Sequence, residues 1–212
     1  MHRYFIKMPV FVKRLFPRYV WEGPGEGNVV YLTFDDGPHP EVTPWVLDQL
    51  RVFDAQATFF CIGNNVVRHP SVMDRISAEG HGIGNHTYDH VNGWKTEPDA
   101  YLANVRKAAS VIDSALFRPP YGRIRKAQAR GIAEAMGQPG ARIVLWDVLS
   151  ADFDATYSPQ QCADNVLRHT VAGSIIVFHD SVKAWPNLSG ALPLVLRGLQ
   201  ERGFRFGALA GV

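Results

Sequence analysis

Two adjacent carboxylates end an apolar run in the first part of the chain. Val29 to Phe34 is rich in apolar and β-branched residues, as buried strands are, and Asp35 and Asp36 follow it directly. Neighbouring acids repel each other, so a charged pair is costly unless a cation or a base accompanies it. A metal ion held by one acid would leave the other free to move protons. The alternative is an ordinary Asp-Gly-Pro turn with both acids solvated.

A second segment, HTYDH, has His86 and His90 four residues apart. On a helical turn this spacing would place both imidazoles on one face, where they can bind one metal ion. Two histidines and one carboxylate, with positions left for water and substrate, are typical of a catalytic metal site. A histidine pair alone more often has a surface or capping position, so the acidic pair is what favours the metal interpretation.

Three further segments carry polar side chains at predicted strand ends. Arg118 precedes two prolines, whose rigidity can aim an arginine at a carboxylate and hold that carboxylate ionised. A loop with three acids follows Trp146, and an apolar run ends on His179. A histidine that faces an aspartate can stay protonated at neutral pH and act as a general acid. The alternatives are a stiff loop with a surface arginine and a histidine that is merely hydrogen-bonded.

Short apolar runs alternate with longer amphipathic ones from Val29 onward, which predicts alternating strands and helices. The predicted strands are Val29–Phe34, Ala57–Cys61, His81–Gly84, Leu116–Arg118, Arg142–Trp146, Ser174–His179 and Phe204–Gly207. The predicted helices are Thr43–Phe53, Pro70–Glu79, Pro98–Asp113, Lys126–Met136, Pro159–His169 and Leu192–Arg202.

Strict alternation of strand and helix indicates an α/β fold with a parallel sheet covered by helices. About seven strands favour a single-domain, closed or distorted (β/α) barrel over an open doubly wound sheet, although periodicity alone does not separate the two. In such barrels the chemistry collects at the C-terminal ends of the strands, where the polar residues fall. No glycine-rich phosphate-binding loop is present.

Length and composition are ordinary for a globular protein, with 212 residues, 46% of them hydrophobic and 20% charged. A net charge of +2 is too small to indicate nucleic-acid binding. The two cysteines, Cys61 and Cys162, lie in unlike contexts and do not indicate a disulfide framework.

Residues 1–24 mix basic and apolar side chains and are predicted to form an N-terminal extension or helix, with residues 25–212 as the main domain. The apolar run between Lys7 and Lys13 is short and contains Pro9, so neither a signal peptide nor a transmembrane helix is expected. A helix packed on the barrel is the simpler interpretation, and a membrane-surface anchor is the alternative. The expected location is cytoplasmic or peripheral to a membrane.

The ordered segments TFDDGP, HTYDH, RPPYG, WDVLSADFD and IIVFHD closely resemble the motifs of the NodB-homology polysaccharide deacetylases, carbohydrate esterase family 4. The resemblance runs from about Val29 to Ala208, and five motifs in this order are highly specific. It implies that residues 25–212 are a NodB-like catalytic domain that hydrolyses the N-acetyl group of N-acetylglucosamine residues. It also implies a divalent metal, usually zinc, with cobalt, nickel or manganese as alternatives.

The resemblance also implies a role for each motif residue. Asp35 would be the general base, oriented by Arg118. The metal ligands would be Asp36, His86 and His90.

The remaining motifs imply the groups on the other side of the substrate. Tyr121 would stabilise the oxyanion through its backbone N–H. His179 would be the general acid, and Asp152 would keep it charged. Asp147 is the second choice for that partner.

The sequence departs from the family's pattern at two positions that usually shape the pocket for the acetyl methyl. A tryptophan commonly follows the acid of the fourth motif, here Phe153, and a leucine commonly lies two residues before the histidine of the fifth, here Val177. Trp94 and Trp185 follow strand ends and are expected either to stack on sugar rings or to cap the barrel. The implied substrate-binding residues are Pro120, Tyr121, Phe153 and Val177.

Three functional hypotheses remain at this point. The leading one is a metal-dependent N-deacetylase of a chitooligosaccharide, peptidoglycan glycan or related amino sugar. The second is an O-deacetylase of acetylated xylan or another polysaccharide. A non-catalytic sugar-binding scaffold would be favoured if a metal ligand or the base were replaced, and none is. The expected partner is an acetylated glycan, with no nucleic acid and no integral membrane segment, and the sequence does not indicate an oligomeric state.

Overall fold

The computed structural model describes residues 4–209, so residues 1–3 and 210–212 of the two predicted regions lie outside it. Within the described residues, eight strands form one sheet. The strands are β1 (Val29–Asp35), β2 (Ala57–Cys61), β3 (Gly82–Asn85), β4 (Leu116–Phe117), β5 (Arg142–Ile143), β6 (Val148–Leu149), β7 (Ile175–His179) and β8 (Arg205–Phe206).

The sheet has the order β5-β4-β3-β2-β1-β7-β6, with β8 paired to the start of β1, and all of these pairs are parallel. The central strand β1 is buried over nearly its whole length, as expected for a strand covered on both faces. Because the sheet curls, β5 and β6 become the two edges of an incomplete barrel. The predicted single-domain, distorted (β/α) barrel is confirmed.

Helices cover the outer face of the sheet. They are α1 (Val10–Leu15), α2 (Val42–Val52), α3 (Gly63–Arg68), α4 (Pro70–Ala78), α5 (Pro98–Ala109), α6 (Lys126–Met136), α7 (Pro159–His169) and α8 (Trp185–Glu201). The bounds of α6 and α7 are those predicted, whereas α3 was not predicted. In the core beneath the helices, Phe34 stacks between Phe59 and Phe178, with ring centroids 5.1 and 6.0 Å away.

The largest error among the predicted helices concerns α8, which begins at Trp185 rather than at Leu192 and continues through Pro193. Proline inside a helix normally removes a hydrogen bond and disfavours the preceding turn. Here the apolar side chains Leu188, Leu192 and Val195 are fully buried, so packing outweighs the local preference.

The predicted strand Arg142–Trp146 is also wrong, because only its first two residues pair with β4. The backbone carbonyls of Val144 and Leu145 instead accept hydrogen bonds from the buried side chain of Arg118, at 3.3 and 3.0 Å. The chain then leaves the sheet and returns as β6.

The N-terminal segment bridges the open seam between the two edge strands. On the β5 side, Val20 exchanges backbone hydrogen bonds with Ile143 and Leu145, at 2.8 and 2.7 Å. On the β6 side, Met8 N–H donates to Asp147 and Leu149 N–H donates to Ile6, both at 2.8 Å. The segment therefore satisfies backbone groups that the edges of an incomplete barrel would leave unpaired.

A buried ion cluster fastens this segment to the barrel. The Asp147 carboxylate is fully buried and lies 2.5 Å from Lys7 Nζ and 2.5 Å from Lys13 Nζ. Burial alone would raise the pKa of Asp147, but the hydrogen bonds from Lys13, Lys7 and Ser174 lower it below its usual value. Asp147 is therefore a charged anchor for the N-terminal segment.

Candidate active site

The candidate site lies where the C-terminal ends of the parallel strands meet. Asp35 is the last residue of β1, and its register partner on β7 is His179. Asp36 follows with a φ of 81°, in the left-handed region that non-glycine residues seldom adopt. This turn takes the chain out of the sheet and places Asp36 at the mouth of a cleft of about 810 Å³, which Asp35 and His179 also line.

A fully buried arginine holds the first acid. Arg118 Nη1 donates to Asp35 Oδ1 and to Thr33 Oγ1, both at 2.7 Å. Its guanidinium lies 4.0 Å from the centroid of the Phe60 ring, and its other donors bind the carbonyls described above. A buried charge is tolerated only when it is paired and hydrogen-bonded in this way, and Asp35 is consequently fixed in one orientation.

Asp36, His86 and His90 converge on one point. Asp36 Oδ1 lies 3.1 Å from His90 Nε2 and 3.7 Å from His86 Nε2, and one ligand atom of each residue lies within 4.8 Å of the others. The buried Oδ1 atom nevertheless accepts no well-formed hydrogen bond from the described residues. A carboxylate oxygen and two imidazole nitrogens are the donor set of catalytic zinc and related sites, so these residues fit a divalent cation.

The expected helical turn between the two histidines is absent. Residues 86–90 form an irregular loop in which Thr87 and His90 have φ values of 65° and 54°. Thr87 N–H donates to Asn85 Oδ1 at 2.8 Å, which holds the start of this loop against β3. The two imidazoles are therefore brought together, with ring centroids 5.1 Å apart, by loop geometry rather than by helical spacing.

The tautomer of His86 follows from its partner. Its Nδ1 lies 2.8 Å from the carbonyl oxygen of Arg118, which can only accept, so Nδ1 carries the proton and Nε2 keeps a free lone pair toward Asp36. Complete burial is the main cause that lowers the pKa of His86 to about 4. His86 is therefore neutral at pH 7, the form in which imidazole binds metals.

Asp36 is strongly biased toward its ionised form. Burial by itself would raise the pKa of Asp36. The His90 imidazole, whose Nε2 lies 3.1 Å from Asp36 Oδ1, and the nearby imidazoles of His179 and His86 outweigh that effect and place the pKa well below its usual range. An anionic oxygen next to a neutral imidazole suits cation binding.

His179 and Asp152 form the second charged pair of the cleft. Asp152 Oδ1 lies 2.8 Å from His179 Nδ1, and Asp152 Oδ2 accepts a hydrogen bond from the His179 backbone N–H at 2.8 Å. Burial alone would lower the pKa of His179, but the charge and hydrogen bond of Asp152 raise it to about 9. The second choice for this partner, Asp147, is wrong, because Asp147 binds Lys7, Lys13 and Ser174.

Tyr121 lies on the rim of the cleft with a φ of 62°. Its ring packs edge-on against His90, with centroids 4.7 Å apart, and its side chain is largely exposed. The Tyr121 backbone N–H has no hydrogen-bond partner among the residues that the structure describes. Pro120 is buried under this turn and does not line the cleft.

The rest of the cleft wall is mainly apolar and aromatic. Phe153 packs edge-on against His179, with centroids 5.1 Å apart, and Val177 is buried beside it. Trp94 lines the cleft, but Trp185 packs against Trp45 at the start of α8 and does not. The N-terminal segment contributes a further wall, whose residues include Met8, Val12, Phe16, Tyr19 and Trp21.

Sequence reasoning missed two residues that hold the turn after β1. Asp180 Oδ1 accepts from Gly37 N–H at 3.0 Å, and its Oδ2 accepts from Thr43 Oγ1 at 2.5 Å. Burial raises the pKa of Asp180 to about 8. Asn65 Nδ2 donates to the Asp36 carbonyl at 2.8 Å. The position of Asp180 directly after His179 was the available signal, whereas nothing near Asn65 marks it.

Fold and site define a class of protein, the α/β-barrel proteins that place carboxylates and imidazoles at the carboxyl ends of their strands. Sequence comparison narrows that class. The family described as "Polysaccharide deacetylase" matches residues 22–141, and the chain belongs to this family. The resemblance to NodB-homology enzymes of carbohydrate esterase family 4 is thereby confirmed.

Similar proteins of this family are deacetylases by name. A peptidoglycan-N-acetylglucosamine deacetylase of Bacillus cereus is 36% identical over 197 residues, which cover 89% of this chain and 69% of the relative. A chitooligosaccharide deacetylase of Azorhizobium caulinodans is 34% identical, over 82% of this chain and 90% of the relative. The crystal structure of the Bc1960 peptidoglycan N-acetylglucosamine deacetylase superposes with a TM-score of 0.83 at 33% identity, over 95% of each chain. The protein is therefore a polysaccharide deacetylase.

Proposed function

We propose that this protein removes N-acetyl groups from N-acetylglucosamine-containing glycans of the chitooligosaccharide or peptidoglycan type, with a divalent cation, zinc first, as cofactor. The observation that carries the proposal is that Asp35 and His179, at the ends of neighbouring strands, line the same cleft as the clustered ligand atoms of Asp36, His86 and His90. The names of similar proteins support this substrate class.

Asp36, His86 and His90 would hold the cation. When bound, it would act as a Lewis acid toward the acetyl carbonyl and the attacking water. Two properties of His86 support this assignment. Its imidazole is neutral, and the hydrogen bond to the Arg118 carbonyl orients the ring.

Asp35 would be the general base. Arg118 fixes the orientation of its carboxylate, so that it can accept a proton from the water that attacks the carbonyl carbon. Arg118 itself is fully buried and would act as a positioning residue.

The Tyr121 N–H would stabilise the oxyanion that this attack produces. A backbone donor without a partner, held at the rim by a strained turn, is already oriented before substrate binds. Such donors contribute to catalysis because they need no reorganisation during the reaction.

His179 would protonate the sugar nitrogen as the tetrahedral intermediate collapses. An amine is a poor leaving group unless it is protonated, so an acid is needed opposite the base. The pair with Asp152 supports this role, because it keeps the imidazole charged at neutral pH.

Acetate release from defined substrates tests the proposal. We expect the enzyme to free acetate from N-acetyl chitooligomers, with one new amine for each acetate. Acetylated xylan, the substrate of the O-deacetylase alternative, is the comparison. Release from acetylated xylan alone would replace the N-acetyl assignment, and release from neither would overturn the proposed substrates.

The pH profile tests the His179–Asp152 pair. His179 has a raised pKa of about 9, so it is protonated below that pH and loses its proton as the pH rises through it. We therefore expect kcat/KM to fall on the alkaline side near pH 9, and the fall to move to lower pH in Asp152→Asn. The matched control is Asp154→Asn, in the same loop. An unchanged alkaline limb in Asp152→Asn would contradict the assignment.

A further inference from the structure

A second depression, of about 520 Å³, lies beside α1. Arg14, Arg18 and Arg142 line it, and all three are exposed. None of the three forms an ion pair with another described residue. The acid in the lining, Glu22, is bound to Lys13. The depression therefore has uncompensated positive charge.

The outward side of α1 is apolar. Val10, Phe11 and Leu15 are 61%, 62% and 69% exposed. Residues four positions apart are neighbours on a helix surface, so Arg14 lies next to Val10 and Leu15 lies next to Phe11. The two pairs together span less than half of the helix circumference, and Arg14 therefore lies among the three apolar side chains. Large apolar side chains grouped on one exposed face mark an interaction surface rather than scattered exposure.

This surface adjoins the catalytic cleft. Tyr19 and Trp21 line both the second depression and the cleft. Phe16, which ends the α1 segment and is 48% exposed, also lines the cleft. Whatever covers α1 therefore lies next to the cleft.

We propose that the face formed by Val10, Phe11, Arg14, Leu15 and Arg18, here called the α1 face, docks on an anionic phospholipid surface. Apolar side chains that enter the headgroup region, flanked by basic ones that attract anionic lipid, are the features of interfacial segments. Guanidinium groups bind phosphate with two hydrogen bonds, which suits Arg14, Arg18 and Arg142. Docking would bring the cleft to acetylated sugars that are held near such a surface.

Two other occupants fit the α1 face less well. A second copy of the chain, packed across a two-fold axis, would bring Arg14 and Arg18 of both copies together, and like charges across an interface are unfavourable. Inorganic phosphate alone would engage the arginines but leave Phe11 and Leu15 in water. An anionic lipid surface would both bind the arginines and remove the apolar side chains from water.

Vesicle co-sedimentation tests this proposal without any measurement of deacetylation. The wild-type protein is mixed with vesicles of phosphatidylcholine alone or of phosphatidylcholine with phosphatidylglycerol. We expect binding to the anionic vesicles that weakens as salt is added. Arg14→Glu/Arg18→Glu and Phe11→Ser/Leu15→Ser should each reduce partitioning on the order of tenfold or more.

The matched control is Arg106→Glu/Arg130→Glu, which reverses two exposed charges elsewhere and should bind like the wild type. All of the substituted residues are exposed and none lines the cleft, so all variants should have the same thermal unfolding midpoint as the wild type, which shows that they fold. Wild-type protein that stays in the supernatant with anionic vesicles would overturn the proposal. An equal loss of vesicle binding in the control variant would also overturn it. Two further results would assign the α1 face to another occupant: inorganic phosphate that fully competes with vesicles while Phe11→Ser/Leu15→Ser has no effect, or a dimer of the protein that Phe11→Ser/Leu15→Ser dissociates.

Discussion

The Asp35→Asn variant should lose between about a hundredfold and ten-thousandfold in kcat on N-acetyl chitooligomers, the usual range for removal of a general base. Asparagine keeps the size of aspartate and can still accept a hydrogen bond from Arg118, but it cannot take a proton from water. The assignment of Asp35 as base and Asp36 as ligand also requires that the variant bind cation as the wild type does. Acetate release and cation content per molecule, measured on the same sample, check both expectations.

Stability has to be measured beside activity for this variant. Arg118 is fully buried, and it loses its charged partner in Asp35→Asn. Leaving a buried charge uncompensated typically costs about 3–5 kcal/mol, although Thr33 and the backbone carbonyls of Val144 and Leu145 still accept from the guanidinium. A folded variant with full activity would contradict the role of Asp35. A folded variant that has also lost its cation would make Asp35 a ligand instead.

Removal of the cation should abolish acetate release, and adding a divalent cation back should restore it. The physical reason is that Asp36 Oδ1 and the two imidazole nitrogens form a cation donor set, in which Asp36 is biased toward its ionised form and His86 is neutral at pH 7. Dialysis against a chelator, elemental analysis and re-addition of single cations measure this effect. Full activity in protein shown to be free of metal would refute the proposed cofactor.

A variant of one ligand gives a second measure of the same site. His90→Gln should weaken cation binding by at least about a hundredfold, because even partners outside the ligand set typically account for tenfold to a hundredfold. His90 is partly exposed, as Asp36 is, whereas His86 is buried, so replacement of His90 should leave the fold intact. The matched control is His69→Gln, which lies outside the cleft at the start of α4 and should bind cation normally. Equal cation affinity in both variants would exclude His90 as a ligand.

The vesicle experiment also bears on where in the cell the protein works. Among the described residues, no helix has the length and apolar character to cross a bilayer. The proposed docking through the α1 face is a separate matter, because interfacial binding needs only an apolar side and basic neighbours.

Local patterns in the sequence determined much of this protein. Apolar runs ending in polar residues located β1 and β7, and the amphipathic runs gave the bounds of α6 and α7 correctly, since these features depend on neighbouring residues alone. The family could be identified because its motifs are contiguous. The residue types of the site could be read in the same way.

The tertiary structure decided what depends on residues far apart in the chain. Asp147 and Asp152 occupy one loop and look alike in sequence, but only Asp152 faces His179, because Lys7 and Lys13, more than a hundred residues away, engage Asp147. For the same reason, the sequence did not predict that the N-terminal segment bridges the seam between β5 and β6. The residues of a short segment determine its preference for helix or strand. They do not determine which distant side chain will neutralise its charge or which distant backbone segment will pair with its free edge.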